Sequence, residues 1–182
     1  MKYIIASDIH GSALYLKKLL ERFYEEKPEK MILLGDILYH GPRNDLPEGY
    51  NPKEVISLLN PLKENLLCVR GNCDCEVDQM VLDFPILADY AYLDINGLSF
   101  FATHGHLFGA DNPPPLKKGE ILLHGHTHIP EFKKLPCGNY YINPGSVSIP
   151  KESSENGYIL LDGKSFIFKN LDNKIIKISE II

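Results

Sequence analysis

The residues best suited to chemistry lie in five short segments rich in aspartate, asparagine and histidine. In chain order the segments are Asp8-Ile9-His10, Gly35-Asp36, Gly71-Asn72-Cys73-Asp74, Thr103-His104-Gly105-His106 and His124-Gly125-His126-Thr127-His128. Carboxylate, amide oxygen and imidazole together suit borderline divalent ions such as Mn²⁺, Fe²⁺, Co²⁺, Ni²⁺ or Zn²⁺, whereas softer ions prefer thiolates. The set therefore predicts a metal centre.

Each segment has an ordinary structural explanation when it is taken alone. Asp and Asn beside Gly are common in turns, and a single histidine after a strand is usually a surface or core residue. His126 and His128 carry more weight, because alternate residues of an extended segment point to the same face and both rings can reach one metal cluster. Five such segments in order would require five coincidences, so we interpret them together as one site.

A predicted strand precedes each of the five segments. Apolar runs at 2–7, 30–35 and 66–70 have the pattern of buried strands. Between them, Ser12 is a predicted cap of a helix that ends before Pro28, and Asn51-Pro52 is predicted to begin a second helix. Strands that alternate with helices favour a parallel sheet. Ligands collect at the carboxyl ends of the strands in such a sheet.

The second half of the chain is predicted to consist mainly of hairpins. Asn96-Gly97, between apolar runs at 90–95 and 98–103, is a strong turn signal. Further strands are predicted at 120–124, 140–143, 158–161 and 165–170, with a turn at Asp162-Gly163 and a final edge strand at 174–179. We therefore expect an α/β (mixed α+β) fold of two packed mixed sheets with helices outside. Because one core requires both halves, residues 1–182 are predicted to form a single domain.

The composition excludes several classes of protein. The chain has 182 residues, of which 44% are hydrophobic and 24% charged, as is typical of a globular domain. A formal charge of −5 gives no broad attraction to nucleic acid. The apolar start is interrupted at Asp8 before it reaches signal-peptide length, and no run approaches the ~20 apolar residues of a membrane span. We therefore expect a cytoplasmic protein with no membrane association, whose cysteines are reduced.

Taken in order, the five segments resemble the calcineurin-like metallophosphoesterase superfamily and, within it, the YfcE-type phosphodiesterase family. The resemblance extends to about residue 150. It also covers His40-Gly41-Pro42-Arg43-Asn44, Pro47-Glu48-Gly49-Tyr50, Asp78-Gln79-Met80, Gly105-His106-Leu107-Phe108-Gly109 and the run from Asn143 to Pro150.

This resemblance implies a four-layer α-β-β-α sandwich, two mixed sheets flanked by helices, with a two-metal site. It assigns the first metal to Asp8, His10, Asp36 and His128. It assigns the second metal to Asp36, Asn72, His104 and His126, so that Asp36 bridges the two ions. Family precedent favours Mn²⁺, and Fe²⁺, Co²⁺, Ni²⁺ and Zn²⁺ remain open. The expected reaction is hydrolysis of a phosphate diester by a hydroxide that the two metals share.

Two residues are candidates for the group that protonates the leaving oxygen. Many relatives carry histidine after the Gly-Asn pair, where this chain has Cys73, and a thiol is a poorer hydrogen-bond donor. His106 is the alternative, beside the catalytic positions Asn72 and His104. We therefore expect a preference for substrates with good leaving groups.

Three further residues near the site receive an expected role. Arg43 is a candidate clamp for a phosphate oxygen. Asp74 either orients a metal ligand or stabilises its turn. His124 is left out of the ligand set, because the corresponding position varies within the family pattern.

The expected substrate is a small soluble phosphodiester, and the expected assembly is a homo-oligomer, a dimer or a tetramer. Three alternatives use the same fold. A phosphomonoesterase or a nuclease would share the dinuclear site, although no basic groove supports a nuclease. A scaffold without catalytic activity would be expected to lack some of the ligands, and all seven are present.

Overall fold

The computed structural model describes residues 1–181, in which eleven strands form two sheets. The strands are β1 (Lys2–Ala6), β2 (Lys30–Leu33), β3 (Leu66–Cys68), β4 (Tyr90–Ile95), β5 (Leu98–Thr103), β6 (Ile121–Leu123), β7 (Pro130–Lys134), β8 (Tyr140–Pro144), β9 (Gly157–Asp162), β10 (Ser165–Asn170) and β11 (Ile175–Glu180). The helices are α1 (Ala13–Glu26), α2 (Pro52–Leu59) and the single turn α3 (Glu76–Gln79), with a 3-10 segment at Asn60–Asn65. None of the helices in this part of the chain is long and apolar enough to cross a membrane.

The two long helices begin at the predicted caps. The Ser12 hydroxyl accepts a hydrogen bond from the backbone N–H of Tyr15 at 3.3 Å, and the Asn51 side chain accepts one from the N–H of Glu54 at 3.3 Å. Both bonds satisfy donors that the first turn of a helix leaves free. Helix α1 ends at Lys27, which has the left-handed conformation (φ 50°) that stops a helix directly before a proline.

Both sheets are mixed, as predicted. The first sheet has the order β11-β10-β9-β1-β2-β3, with β1, β2 and β3 parallel and β9 antiparallel to β1. The second has the order β4-β5-β6-β8-β7, with β5, β6 and β8 parallel. Strands β1, β2, β3, β5 and β6 are the five that precede the histidine-rich and aspartate-rich segments.

Alternate residues of the strands divide between two hydrophobic cores. One face of the first sheet packs against α1 and α2, where Ile4 and Leu33 contact residues such as Leu16 and Leu19. The opposite face packs against the second sheet. This core between the sheets includes Ile5, Ile32, Leu34, Phe100, Ala102, Ile121, Leu123, Ile159, Leu161 and Phe166, so it draws on both halves of the chain.

The outer face of the second sheet is covered by a loop, whereas a layer of helices was predicted there. A small cluster of Phe101, Leu122, Leu135 and Tyr141 is packed there by Phe108, Ala110 and Leu116. These last three residues belong to the irregular segment 104–120, so within residues 1–181 the fourth layer is loop and the helices lie on the first sheet. Proline and glycine are frequent in this segment, which is consistent with an irregular backbone.

Two elements were not predicted from the sequence. Strand β7 begins at Pro130 and lies at the edge of its sheet, where a residue without an N–H is tolerated. Helix α3 spans only four residues, and its first turn is closed by Asp78, which accepts from the N–H of Cys75 at 2.9 Å. Strands β4, β5 and β10 have the predicted boundaries, and the boundaries of the remaining strands differ from the predicted ones by one or two residues.

Candidate metal centre

The carboxyl ends of five strands converge, and all seven predicted ligands meet there. Asp8 and His10 follow β1, Asp36 follows β2, Asn72 follows β3, His104 follows β5, and His126 and His128 follow β6. Asp8, His10, His104 and Asp36 are almost completely buried, with at most 2% of their surface exposed. Buried ionisable groups in such number need partners or a metal.

The first cluster joins Asp8, His10 and His128. The Nε2 atoms of His10 and His128 are 3.3 Å apart. Oδ1 of Asp8 lies 3.3 Å from Nε2 of His128 and 3.5 Å from Nε2 of His10. These three side chains form one of the groups whose donor atoms are close enough to share an ion.

The second cluster joins Asp36, Asn72, His104 and His126. Nε2 of His104 is 3.1 Å from Oδ1 of Asn72, 3.1 Å from Nδ1 of His126 and 3.4 Å from Oδ2 of Asp36. The same Oδ2 atom lies 3.6 Å from Nε2 of His10 in the first cluster. One oxygen of Asp36 therefore faces both clusters.

Backbone carbonyls fix the orientation of three imidazoles. Nδ1 of His10 donates to the carbonyl of Tyr39 at 2.8 Å, Nδ1 of His104 to that of Leu34 at 2.6 Å, and Nδ1 of His128 to that of Ile149 at 2.6 Å. A neutral ring that donates from Nδ1 carries a lone pair on Nε2. All three Nε2 atoms face the centre, where each becomes a ligand once it carries no proton, which is the arrangement found at metal-binding histidines.

These lone pairs provide a test of whether a metal fits. Two Nε2 atoms 3.3 Å apart without a proton between them repel each other, and Oδ1 of Asp8 is buried without a hydrogen-bond partner among the described residues. Ligands about 2.1 Å from a shared ion are about 3.0–3.4 Å apart, close to the observed separations. The donor set and its unsatisfied atoms therefore fit a divalent cation in each cluster.

Five of the seven predicted ligands have a left-handed backbone. Their φ angles are 59° for Asp8, 47° for His10, 55° for Asp36, 66° for His126 and 63° for His128. Residues other than glycine rarely adopt this conformation, and it persists where the surrounding structure enforces it. Each strand thus ends in a sharp bend that turns the ligand inward.

Asp74 fixes the bend at Asp36. Its carboxylate accepts three backbone hydrogen bonds, from Asp36 at 2.8 Å, Ile37 at 2.9 Å and Gly71 at 2.7 Å. Gly71 is required beside it, because a Cβ at that position would lie 2.1 Å from Oδ1 of Asp36. Of the two roles considered for Asp74, the contacts show both, since the residue that orients Asp36 also closes its own turn.

The carboxylates and histidines shift one another's pKa values. Burial lowers the pKa of His104, but the hydrogen bond to Asp36 and the charges of Asp8 and Asp36 outweigh this and raise it to about 9. Burial alone would raise the pKa of Asp8, but the His10 and His128 imidazoles close to its carboxylate instead hold it well below the usual value. Burial and the charge of His104 lower the pKa of His126 to about 4. The centre thus favours ionised carboxylates beside a neutral His126.

The remaining predicted residues lie on two sides of the centre. Arg43 lines a cleft of about 430 Å³ together with Asp36, Asn72, His126, Thr127 and His128, which we call the catalytic cleft. Sγ of Cys73 is close enough to the donor atoms of His10 and Asp36 to share an ion with them. The ring centre of His106 lies 5.4 Å from that of His104, and His106 lines a separate cleft.

Sequence reasoning missed Lys151, which also lines the catalytic cleft. It follows the Asn143–Pro150 run, and its backbone N–H donates to the carbonyl of His128 at 3.2 Å. Its position directly after a run that forms a wall of the site could have indicated this placement from the sequence. His124 is turned away from the centre and stacks on Tyr141, with ring centres 4.4 Å apart, so its omission from the ligand set agrees with the geometry.

Comparison with known proteins identifies the class. Residues 1–165 match the family model of the calcineurin-like phosphoesterase superfamily domain. Phosphodiesterase YfcE of Escherichia coli K12 is 47% identical over 163 residues, a match covering 89% of this chain and 88% of the relative. Phosphodiesterase MJ0936 of Methanocaldococcus jannaschii is 29% identical over 153 residues, covering 80% and 83%. The solved structure of the E. coli phosphoesterase YfcE superposes with a TM-score of 0.95 at 44% identity, over 100% of both chains.

The chain therefore belongs to the calcineurin-like phosphoesterase superfamily, and within it is similar to YfcE. This confirms the resemblance and the sandwich of two mixed sheets. Members of the superfamily use divalent metal ions, and the two clusters are the candidate site for them in this chain.

Proposed function

We propose that the protein hydrolyses small phosphodiesters at a dinuclear metal centre. The observation that carries the proposal is the position of Asp36, whose Oδ2 atom lies 3.6 Å from Nε2 of His10 and 3.4 Å from Nε2 of His104. A single carboxylate oxygen between two ligand clusters is what a bridged pair of ions requires. The phosphodiesterase names of the two curated relatives support the same activity.

The seven ligand side chains are divided between the two proposed ions. Asp8, His10, Asp36 and His128 hold the first ion, and Asp36, Asn72, His104 and His126 hold the second. When bound, the two ions supply Lewis-acid activation of water and neutralise charge on the phosphate. We propose Mn²⁺ as the resident ion, with Fe²⁺, Co²⁺, Ni²⁺ and Zn²⁺ as competitors, because carboxylate, amide and imidazole ligands accept all of them.

The catalytic cleft supports binding of an anion. Arg43 and Lys151 are both exposed and line the same cleft as the ligands, so two flexible cations face the phosphate position. Hydrogen bonds from a guanidinium or ammonium to a phosphate oxygen are stronger than those between neutral groups. We propose that these two residues bind and orient the phosphate oxygens.

His106 is the proposed proton donor to the leaving oxygen. Hydrolysis joins the oxygen of water to phosphorus and breaks the bond to the leaving oxygen, which takes up one proton. Burial and the nearby charge of Asp36 raise the pKa of the Cys73 thiol far above its ordinary value, which makes it a weak acid. His106 is half-buried, and its ring centre lies 6.3 Å from that of His126. Burial and the charge of His104 lower the pKa of His106, so it would donate from the protonated form that is populated at lower pH.

Residues 1–182 are proposed to act as one catalytic unit, because the core between the sheets is shared by both halves of the chain. Cytoplasmic location and assembly into a dimer or tetramer are retained as proposals. Size-exclusion chromatography with light scattering measures the assembly directly.

A substrate panel tests the proposed function. The purified protein is stripped with chelator, loaded with Mn²⁺ and assayed on bis(p-nitrophenyl) phosphate, p-nitrophenyl phosphate, cyclic nucleotides and single-stranded DNA. Diesters are expected to be hydrolysed at least tenfold faster than the monoester, and activity is expected to depend on the added metal. Faster turnover of the monoester or of DNA would favour the alternative enzymes, and failure to bind metal would favour a scaffold.

A further inference from the structure

A second cleft, of about 400 Å³, opens beside the metal centre on the outer face of the second sheet. We call it the lateral cleft. One wall is the loop 105–112, and the other is formed by β7 and Tyr141 of β8. His126 and Thr127 line both this cleft and the catalytic cleft, so the two meet at the second ligand cluster.

The lateral cleft differs chemically from the catalytic cleft. Leu107, Ala110 and Ile129 give it apolar walls, and Tyr141 contributes an aromatic surface. Its charged groups are Lys133 and Glu131 on β7 and Asp111 on the loop. With one cation against two anions, the cleft does not attract a phosphate, whereas an uncharged ring can bury its faces there and use the polar rim for hydrogen bonds.

The cleft is formed without a ligand. The backbone N–H of Ala110 donates to Nε2 of His124 at 3.2 Å, and Nδ1 of His124 donates to the carbonyl of Gly125 at 2.9 Å. His124 thus ties the loop to the segment that carries His126. Gly105 is needed for this contact, because its φ is 117° and a Cβ there would lie 2.6 Å from Nδ1 of His124. A wall held in this way loses little entropy when a ring binds.

The position of His106 indicates which arm of the diester binds in the lateral cleft. His106 lines the lateral cleft, whereas Arg43 and Lys151 line the catalytic cleft. We propose that the lateral cleft binds the leaving arm of the substrate, and that this arm is an uncharged, ring-bearing alcohol or phenol. The inference rests on the proposed phosphodiesterase function and assigns the substrate class. The reaction then releases the ring-bearing alcohol and leaves a phosphate monoester in the catalytic cleft.

Two esters with matched leaving groups test the assignment. O-methyl S-benzyl phosphorothiolate and O-methyl S-(2-methoxyethyl) phosphorothiolate release thiols of similar acidity, and only the first carries a ring. Thiol release is measured with a colorimetric reagent. The Mn²⁺-loaded protein is expected to show a kcat/KM about tenfold higher for the benzyl ester.

Variants of the cleft locate the origin of that preference. Ala110→Phe fills the cleft and is expected to reduce the ratio of the two kcat/KM values to about one. Leu107→Asn removes an apolar contact without adding bulk and is expected to reduce the ratio several-fold. Lys134→Ala is the control, because Lys134 neighbours Lys133 on β7 but lies over Tyr140 outside the cleft. It is expected to keep the wild-type ratio.

A binding measurement separates the cleft from the chemistry. Benzyl alcohol is titrated into the metal-free, methyl-labelled protein, and shifts are expected at Leu107 and Ile129 and are expected to vanish in Ala110→Phe. Hydrolysis of neither ester, with these shifts present, would overturn the proposed function and leave the cleft only as a binding site for an uncharged ring. Equal kcat/KM values for both esters, with no shifts, would overturn the cleft assignment and leave the function standing.

Discussion

The carboxylate of Asp74 accepts a hydrogen bond from the backbone N–H of Asp36 at 2.8 Å, and so fixes the residue that faces both ligand clusters. Asp36 has a left-handed backbone (φ 55°), a conformation that needs outside support in a residue other than glycine. The geometry of the centre therefore depends on a buried carboxylate that does not line the catalytic cleft.

Replacing Asp74 by Asn is expected to destabilise the metal-free protein. The amide cannot accept all three N–H bonds that the carboxylate receives, and an unsatisfied buried N–H costs roughly 1–3 kcal/mol. Urea unfolding is expected to show a free energy of unfolding that is lower by about 2–4 kcal/mol. The variant is also expected to bind Mn²⁺ more weakly. Asp83→Asn, at an exposed surface pair, is the control. Equal midpoints for the two variants would refute the role of Asp74.

Asp36 and His10 are expected to differ in the number of ions that they affect. Asp36→Asn alters the one oxygen near both clusters, so both ions should bind at least tenfold more weakly. His10→Ala removes a ligand of the first cluster, so one ion should be lost and one retained. Calorimetric titration with Mn²⁺ measures the stoichiometry. His40→Ala is the control, because its ring packs between Tyr39 and Tyr50 and belongs to neither cluster. Loss of a single ion in Asp36→Asn would contradict the bridging position.

The stability of the metal-free protein is expected to fall above pH 6.5. The pKa of His104 is raised to about 9 in the folded state by Asp36 and Asp8, against 6.5 as its ordinary value. A raised histidine pKa contributes stability that is fully present below pH 6.5 and is lost as the pH rises to about 9. The loss is expected to be on the order of 3 kcal/mol, because one unit of pKa difference corresponds to about 1.4 kcal/mol. Thermal unfolding in chelator from pH 6 to 9.5 measures this loss. If stability falls equally steeply with pH in His104→Gln, deprotonation of His104 is not its cause.

Arg43 is expected to contribute to substrate binding through its geometry as well as its charge. Arg43→Ala should lower kcat/KM about 10-fold or more, since a hydrogen bond to a charged group contributes about 1.5–3 kcal/mol. Arg43→Lys should recover only part of this loss, because an ammonium cannot make the paired contacts of a guanidinium. Steady-state kinetics on a p-nitrophenyl diester provides the measurement. Lys134→Ala serves as the charge-matched control, and an equal loss there would assign the effect to net charge.

His106 is expected to matter most for substrates with poor leaving groups. A phenolate that departs easily needs no proton, whereas a basic alkoxide does. His106→Ala should therefore lower kcat at least 100-fold for an alkyl leaving group and less than 10-fold for p-nitrophenol. The measurement is the slope of log kcat against leaving-group pKa, which should steepen in the variant. An unchanged slope would assign proton transfer elsewhere, and the same series on Cys73→Ala identifies whether the thiol takes part.

Most of the site could be predicted because it follows from local patterns. Asp8, Asp36 and His104 each come directly after an apolar run, and the ends of parallel strands meet at one edge of a sheet. The hairpin at Asn96-Gly97 was predictable for the same reason, since its turn is encoded by two adjacent residues.

The features that were not predicted depend on contacts between residues that are distant in sequence. Lys151 reaches the catalytic cleft because its backbone is bonded to His128, which no local pattern reveals. Strand β7 has few strongly apolar residues and is stabilised by pairing with β8. The predicted helical layer over the second sheet is replaced by the loop 104–120, whose course depends on packing of Phe108 and Leu116 against the sheet.

The backbone N–H of His126 donates a hydrogen bond to Oδ2 of Asp8, 118 positions away in the chain, and this contact has a consequence for biosynthesis. Neither ligand cluster is complete until the ribosome has added His126 and His128. Strand β1 gains its second neighbour only when β9 has emerged, about 30 residues later still. We therefore expect both clusters to form only after nearly the whole chain has left the exit tunnel, and the proposed ions to bind after that point.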